Sequence, residues 1–281
     1  MPKVAIVTDS TATLSQDVVQ KFGFYVAPQQ IIWGTEGFRD GVDVQPQQFY
    51  ERLKSSKENP RTSQASPGTF KEIYETALKT ADALLVIVLS SGLSQTYNSA
   101  ILAKHDLPNA KIEVVDTRVI SASMGFMCVV AAKMLADGKS LEEAKKKVEN
   151  MIPNANLIFT VETLDYLHRG GRIGGAARFI GNVLNFKPVL NLKDGKVDAL
   201  ERVRTKKKAV EYIINTVAER VEGKGPLHLA AIHANVEDEA KELLAIAVER
   251  LKPVDAHITP LSPSIGTHTG PGTVGLAYAI G

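Results

Sequence analysis

The first half of the chain alternates short, wholly apolar runs with longer segments of helical periodicity. The runs KVAIVTD, ALLVIVLS and KIEVVD have the length and composition of buried strands. Between them, SPGTFKEIYETALKTA predicts a helix that Ser66 caps and Pro67 begins. The segments SQTYNSAILAKH and MGFMCVVAAKMLADG predict two further helices, the second closed by Gly138. Apolar strands that alternate with helices predict a parallel sheet covered on both faces.

The second half has a different pattern, which begins near Asn154. A strand is followed by short helices and glycine turns, and KPVLNLKDGKVDALERVR predicts a β-hairpin that turns at Asp194-Gly195. The helices TKKKAVEYIINTVAERVEG and VEDEAKELLAIAVERLK alternate with the strands PLHLAAIHA and DAHITPLS. We therefore expect a two-domain α/β protein. Residues 1–153 form a parallel-sheet domain, and residues 154–281 form a mixed-sheet domain that contains the hairpin.

Composition narrows the class of protein. The chain has 281 residues, 44% hydrophobic and 23% charged, which is typical of a soluble globular protein of about two domains. A formal net charge of +2 gives no reason to expect nucleic acid as a partner. We find no apolar run of signal-peptide type at the start and no transmembrane stretch. The single cysteine, Cys128, lies in an apolar segment and is expected to be buried. Because one cysteine cannot form an internal disulfide, nothing indicates export, and we expect a cytoplasmic location.

A glycine motif near the end of the chain resembles a dinucleotide-binding turn. Gly270, Gly272 and Gly275 have the spacing G-x-G-x-x-G. That motif needs a following helix and a second strand, but only six residues follow Gly275, and TVGLAYAI is typical of a strand. The glycines therefore favour a tight turn or a close backbone approach rather than nucleotide binding.

A serine-hydrolase interpretation depends on the segment SSGLSQT. The nucleophile elbow G-x-S-x-G is incomplete, because Thr96 stands where the second glycine belongs. Catalytic triads are defined by geometry, so a hydrolase that uses Ser94 and His268 remains the alternative function. The histidines show no metal-binding spacing, and we expect no metal site.

Hydroxyl side chains recur where predicted strands end and helices begin. They lie in Asp9-Ser10-Thr11, in Thr62-Ser63 and in the segment Ser90–Ser94. The carboxyl ends of parallel strands meet along one edge of a sheet, and helix N-termini there present free N–H groups. Three such clusters together favour a site for a small anionic group such as a carboxylate.

Basic residues provide a second set of candidates. Arg169 and Arg172 stand among glycines in YLHRGGRIGG, where the backbone could approach a ligand. Arg202 and Arg204 stand in ERVRTKKKA, which is typical of a solvated hairpin end and helix start. Docking of an acidic or phosphorylated partner is the alternative there.

Several motifs together resemble the DegV family, in family order and across essentially the whole chain. They are DST, TSQASP, SSGLSQTYNSA, VVDT, TLDYLHRGGRIG, FKPVL and IGTHTGPGTVG. The resemblance implies a bacterial two-domain protein that binds one long-chain, palmitate-like fatty acid between its domains and needs no cofactor of its own. It also implies that the protein is not itself an enzyme. It would be the acyl-binding subunit of a fatty-acid kinase, whose ATP-binding subunit phosphorylates the carboxylate, and acyl exchange would bring transient membrane contact.

The resemblance assigns roles to individual residues. Thr62 and Ser94 match the carboxylate-binding hydroxyls, and His268 matches the histidine beside the head group. Arg172 matches an arginine near the carboxylate that assists phosphoryl transfer. Arg202 and Arg204 fall in the region implied to meet the kinase subunit.

Two departures from the family pattern are visible. Ala65 replaces the usual proline of TSQPSP, which we expect to be harmless because Ser66 and Pro67 still begin the helix. Gln95 replaces the usual glycine after the key serine. That change is expected to narrow the head-group pocket or to alter the turn, and so to affect affinity more than the mode of binding.

Overall fold

The computed structural model describes residues 2–180 and 186–281, and within these ranges the fold is mixed α/β. The strands are, in chain order, β1 (Val4–Asp9), β2 (Tyr25–Ala27), β3 (Gln30–Trp33), β4 (Glu36–Arg39), β5 (Arg61–Ser63), β6 (Ala83–Val88), β7 (Lys111–Asp116), β8 (Ala155–Thr160), β9 (Lys187–Lys193), β10 (Lys196–Val203), β11 (Leu227–His233), β12 (Asp255–Pro260) and β13 (Val274–Ile280). The helices are α1 (Gln16–Phe22), α2 (Pro46–Ser55), α3 (Pro67–Ala77), α4 (Thr96–His105), α5 (Ala122–Ala136), α6 (Leu141–Met151), α7 (Asp165–Arg169), α8 (Lys206–Val221), α9 (Glu237–Leu251) and α10 (Pro263–Thr269). Short 3₁₀ helices cover Ser10–Ala12, Ile152–Asn154 and Gly174–Phe179.

A parallel sheet forms the first half, as the sequence predicts. Its strand order is β2-β1-β6-β7, and every neighbouring pair is parallel. Ser66 caps α3 by accepting a hydrogen bond from the Thr69 backbone N–H at 3.0 Å, with Pro67 at the first helical position. Gly138 follows the end of α5 with a φ of +80°, the left-handed conformation of a helix C-terminus.

A six-stranded mixed sheet forms the second half, with the order β10-β9-β8-β13-β11-β12. Only β11 and β12 pair in parallel, and the other pairs are antiparallel. The hairpin of β9 and β10 turns at Asp194 and Gly195, which have φ values of +51° and +76°. Two successive positive φ values are the mark of a type I′ turn. The end of the segment RFIGNVL, which the sequence predicts as short helices and glycine turns, lies outside the described residues.

A third sheet was not expected from the sequence. It has three antiparallel strands in the order β4-β3-β5, and Ile31 of β3 pairs with Thr62 of β5. These strands have only three or four residues each. Strands this short do not show a detectable two-residue period. The third sheet matters for the site because its strand β5 contains Thr62, a candidate site residue.

The two large sheets share a hydrophobic core through α5. This helix packs against β1 and β6 of the parallel sheet and against β11 and β13 of the mixed sheet. It is buried along most of its length, and Cys128 is fully buried within it. The other face of the mixed sheet packs against α8 and α9. Across the described residues, no helix has the length and apolar character required to cross a membrane.

Candidate functional site

A cavity lies between the carboxyl ends of the parallel strands and one face of the mixed sheet. Thr11, Gln29, Leu89 and Ile120 line it, and each of them follows the end of a different parallel strand. The opposite wall is apolar and comes from the mixed sheet, with Leu157, Phe159, Leu192, Val197 and Ile232. About 740 Å³ of space lies between the atoms here, part of it open to solvent, and only about 80 Å³ is wide enough for the centre of a water molecule. The space is therefore narrow.

Four residues predicted from the sequence line this one cavity. They are Thr62, Ser94, Arg172 and His268, which are far apart along the chain. Thr62 Oγ1 lies 2.7 Å from His268 Nε2, so these two side chains are hydrogen-bonded. The third sheet places Thr62, and α10 places His268.

Burial controls the charge of His268. Desolvation and, secondarily, the positive charge of Arg172 lower the pKa of this imidazole to about 4. His268 is therefore neutral at pH 7, and it can offset a carboxylate charge only by donating a hydrogen bond. Its Nδ1 is buried and has no hydrogen-bond partner in the described parts of the chain. Gly170 makes room for the ring, because a Cβ atom at that position would lie 2.1 Å from Nδ1.

Arg172 is the cation of the site. Its Nη1 donates to the Gly170 carbonyl at 2.7 Å, and its Nε donates to the Leu93 carbonyl at 3.1 Å. These two bonds fix the guanidinium between the loop before α4 and the glycines after α7. Neutral carbonyls hold the group without cancelling its charge, so it can attract an anion.

Ser94 belongs to a hydrogen-bond chain that the sequence did not reveal. Ser94 Oγ lies 2.8 Å from Thr96 Oγ1, and the side chain of Gln29 donates to Thr96 Oγ1 at 3.1 Å. Gln29 is 3% exposed, lines the cavity, and accepts the Ala65 backbone N–H at 3.2 Å. No motif marks Gln29, because its role depends on strands that pair far apart in the sequence.

The two departures from the family pattern have different consequences. Ala65 supplies a backbone N–H to Gln29, which a proline could not donate. Gln95 is exposed, has a φ of −81° that needs no glycine, and accepts a hydrogen bond from Asn98. Gln95 does not line the cavity. The expectation that it narrows the pocket is therefore wrong, whereas the expectation that it alters the turn stays a prediction.

Other hydroxyls in the expected clusters serve the framework. Ser90 Oγ donates to the Gly195 carbonyl at 2.7 Å, which joins the hairpin turn to the loop after β6. Thr11 lines the cavity, but its hydroxyl donates to Asp9 at 2.5 Å. These groups are already occupied within the protein, so they do not have the free hydrogen-bonding capacity that an anion site needs.

Arg202 and Arg204 occupy different environments. Arg202 Nη2 donates to the Arg178 carbonyl at 2.8 Å, and its guanidinium lies 4.4 Å from the centre of the Phe179 ring. Arg202 therefore holds the 3₁₀ segment Gly174–Phe179 against β10. Arg204 is exposed.

The geometry gives no hydrolase arrangement. Ser94 bonds to Thr96, whereas His268 bonds to Thr62. In the described ranges no carboxylate accepts a hydrogen bond from His268, whose Nδ1 lacks a partner. In the same ranges, no group of three or more His, Cys, Asp or Glu side chains is arranged to hold a metal ion.

The glycines at the end of the chain have structural roles. Gly270 and Gly272 have positive φ values, and Gly275 lies where a Cβ atom would be 2.4 Å from the Ile158 carbonyl of β8. The segment from Val274 to Ile280 is a strand, as predicted, so no dinucleotide-binding helix follows the motif.

A surface cleft adjoins the cavity. Both are lined by Thr62, Arg172 and His268, so the two spaces meet at these three residues, and we call this end of the cavity its mouth. The other charged residues of the cleft are Lys57, Arg61, Arg169 and one anion, Glu58. The cleft therefore has an excess of positive charge at this mouth.

Comparison with known proteins gives one consistent family. A family model described as "Uncharacterised protein, DegV family" matches residues 3–280. The chain is 34% identical to a fatty acid-binding protein of Thermotoga maritima, over 99% of this chain and 98% of that protein. A solved structure of a DegV family protein from Thermus thermophilus, described by its fatty acid binding, has a TM-score of 0.91 and 34% identity, and 99% of each chain is covered. A stearic acid-binding protein from Eubacterium ventriosum has a TM-score of 0.90 and 26% identity, over 100% of this chain and 98% of that one.

Proposed function

We propose that this chain, which belongs to the DegV family, binds one long-chain fatty acid in the cavity between its two sheets. The carboxylate would lie among Thr62, Ser94, Arg172 and His268, and the acyl chain against the apolar wall. One observation carries the proposal: four polar residues remote in sequence meet at a narrow cavity whose far wall is apolar. The fatty acid binding described for the Thermus thermophilus relative and the stearic acid binding described for the Eubacterium ventriosum relative support the same class of ligand.

The acyl chain would supply most of the affinity. About 14 methylenes of a palmitate-like ligand, at about 0.8 kcal/mol each, give roughly 11 kcal/mol before the costs of association. One neutral hydrogen bond at the head group contributes only about 0.5–1.5 kcal/mol. The head group would therefore set orientation, and the tail would set affinity.

The head-group residues would divide the work of holding a carboxylate. A carboxylate that leaves water must be paired with donors or it protonates. Ser94 and Thr62 are hydroxyl donors. His268 is a neutral imidazole, and it would exchange its hydrogen bond to Thr62 for one to the carboxylate. Arg172 supplies the only full positive charge of these four.

The second part of the proposal is presentation of the carboxylate to a separate ATP-binding kinase subunit. The cavity and the surface cleft share Thr62, Arg172 and His268 in their linings, so a carboxylate held by these residues would lie next to the cleft. The cations of the cleft would favour the approach of an anionic phosphoryl donor, and phosphoryl transfer needs cations where charge develops. Arg172 would assist there. Arg204 and the neighbouring Arg202 would contact the kinase subunit. The protein would contact the membrane transiently during acyl exchange.

Native mass spectrometry of the recombinant protein tests the proposal. We expect one fatty acid per chain, lost on denaturing extraction and restored when the stripped protein is incubated with palmitate. Lipid mass spectrometry of the extract would identify the acyl chain. Protein that neither carries nor rebinds a fatty acid, but has an esterase activity that Ser94→Ala removes, would contradict the proposal.

A further inference from the structure

A buried carboxyl lies behind the head-group site and was not expected from the sequence. Asp40 follows β4 and is 1% exposed. Its Oδ2 accepts a hydrogen bond from Ser10 Oγ at 2.8 Å, and its backbone N–H donates to the Gln29 carbonyl at 2.9 Å. Its Oδ1 is buried without a hydrogen-bond partner in the part of the chain that the structure describes. Native proteins retain few such atoms, so this one needs an explanation.

The first turn of α10 faces this carboxyl. Burial raises the pKa of Asp40 to about 6 with a small contribution from the charge of Asp9, although Ser10, the Ser262 hydroxyl and the Ser264 backbone N–H each lower it. Neither group of α10 reaches Oδ1 with normal hydrogen-bond geometry. Ser262 also caps α10, since its Oγ accepts the Ile265 backbone N–H at 3.5 Å.

The α10 helix has little freedom to move without disturbing His268. Tyr50 donates to the Leu261 carbonyl at 3.2 Å just before the helix, and a Cβ atom at Gly266 would lie 2.4 Å from the Tyr50 hydroxyl. At the other end, His268 is confined between Thr62 and Gly170. Because the helix is only seven residues long, a displacement of its first turn would be transmitted to His268.

The other side of Asp40 connects to Ser94. Ser10 Oγ, which donates to Asp40, also accepts the Gln29 backbone N–H at 3.0 Å. The side chain of Gln29 then reaches Thr96, which bonds to Ser94. Asp40 therefore lies between the hydrogen-bond chain that supports Ser94 and the first turn of α10, the helix that carries His268.

We propose that Asp40 is a positioning residue of the head-group site. It holds the Gln29 segment and the first turn of α10 at a fixed separation, so that Ser94 and His268 present their polar atoms to one carboxylate. The inference rests on the proposed function, because it concerns the same site. It assigns to Asp40 no contact with the ligand.

The test compares a ligand that has a carboxylate with one that lacks its charge. Binding of palmitate and of methyl palmitate is measured for the wild-type protein and for Asp40→Ala. We expect Asp40→Ala to weaken palmitate binding about 5- to 20-fold, the loss of one or two head-group hydrogen bonds, and to change methyl palmitate binding less than about twofold. Asp43→Ala is the matched control, because Asp43 is a neighbouring carboxylate that pairs with Arg39 at 2.8 Å. It should leave both affinities unchanged.

Two further measurements separate positioning from general packing. Asp40→Asn keeps an oxygen for Ser10 and should restore palmitate binding to within about threefold of wild type. In Asp40→Ala, the ¹⁵N NMR signals of the His268 imidazole should move, since its bond to Thr62 is disturbed. If Asp40→Ala does not fold, Ser10→Ala provides the test instead. In that variant we expect the ratio of the palmitate affinity to the methyl palmitate affinity to fall about threefold.

The outcomes distinguish the two proposals. A wild-type protein that binds neither ligand would overturn the proposed function, and this inference with it. A wild-type protein that binds palmitate, with a ratio of the two affinities that does not change in the Asp40 or Ser10 variant, would overturn the inference alone. Equal losses for both ligands would make Asp40 an ordinary packing residue.

Discussion

The mouth and the interior of the cavity are built on opposite principles. The mouth has polar groups from three separate parts of the fold: a short edge strand, the loop after α7 and a seven-residue helix. The interior wall consists of apolar side chains on paired strands of one sheet. Backbone hydrogen bonds between paired strands fix the interior wall, whereas the mouth depends on side-chain hydrogen bonds between separate parts of the fold. We therefore expect the interior to determine how tightly a ligand binds and the mouth to determine which head group is accepted.

Filling the interior should have the largest effect. Val197 lies on the edge strand β10 and faces the cavity, so Val197→Trp would place an indole where the acyl chain belongs. We expect palmitate affinity to fall at least about 100-fold, measured by calorimetry, because overpacking and lost tail contacts each cost kilocalories. Lys196→Trp introduces the same side chain at the adjacent exposed position, so this control variant should bind palmitate with the wild-type affinity. Undiminished binding by Val197→Trp would mean that the acyl chain does not lie here.

The pH dependence of the free energy of unfolding should show whether the His268 imidazole at the mouth is buried. His268 has a folded pKa of about 4 against 6.5 in the unfolded chain, so the unfolded state binds more protons between these values. The associated stability is present above pH 6.5 and is lost as the pH falls through 4, by about 3 kcal/mol. Urea unfolding at pH 7 and at pH 4 should show a smaller acid-induced loss in His268→Gln. Identical losses in both proteins would indicate a solvated imidazole.

Arg172 tests whether the mouth acts in chemistry as well as binding. In Arg172→Ala, we expect acyl-phosphate formation with the kinase subunit and ATP to fall about 100-fold, the usual scale for a charge-stabilising group. Palmitate binding should weaken more than in Thr62→Val, because the only cation of the four head-group residues is lost. The tail still supplies most of the affinity, so phosphorylation is compared at saturating palmitate. Arg169→Ala is the control, because Arg169 lies in the same cleft but its guanidinium carbon is 4.9 Å from the centre of the Tyr166 ring. This variant should lose less of the acyl-phosphate formation. Unchanged phosphorylation in Arg172→Ala would remove this residue from the transfer step.

The interior and the mouth also differ in how far the sequence predicted them. Uniformly apolar strands, the Asp194-Gly195 turn and the Ser66-Pro67 helix start are local signals, and the structure has all of them. The third sheet, Gln29 and Asp40 had no local signal, since short strands and single polar residues acquire meaning only from distant partners. The charge of His268 was also missed, because neutrality at pH 7 follows from burial that no motif expresses.

The smallest effect should come from a single hydroxyl at the mouth. Thr62→Val keeps the shape and the β-branch of the edge strand and removes only the bond to His268 Nε2. Loss of one neutral hydrogen bond should weaken palmitate binding about 2- to 12-fold. Methyl palmitate should bind almost as before, because its affinity comes from the same apolar wall. Thr76→Val, at an exposed position of α3, is the control for the substitution itself. A loss in Thr62→Val that is equal for the acid and the ester would show that Thr62 supports the cavity wall rather than recognising a carboxylate.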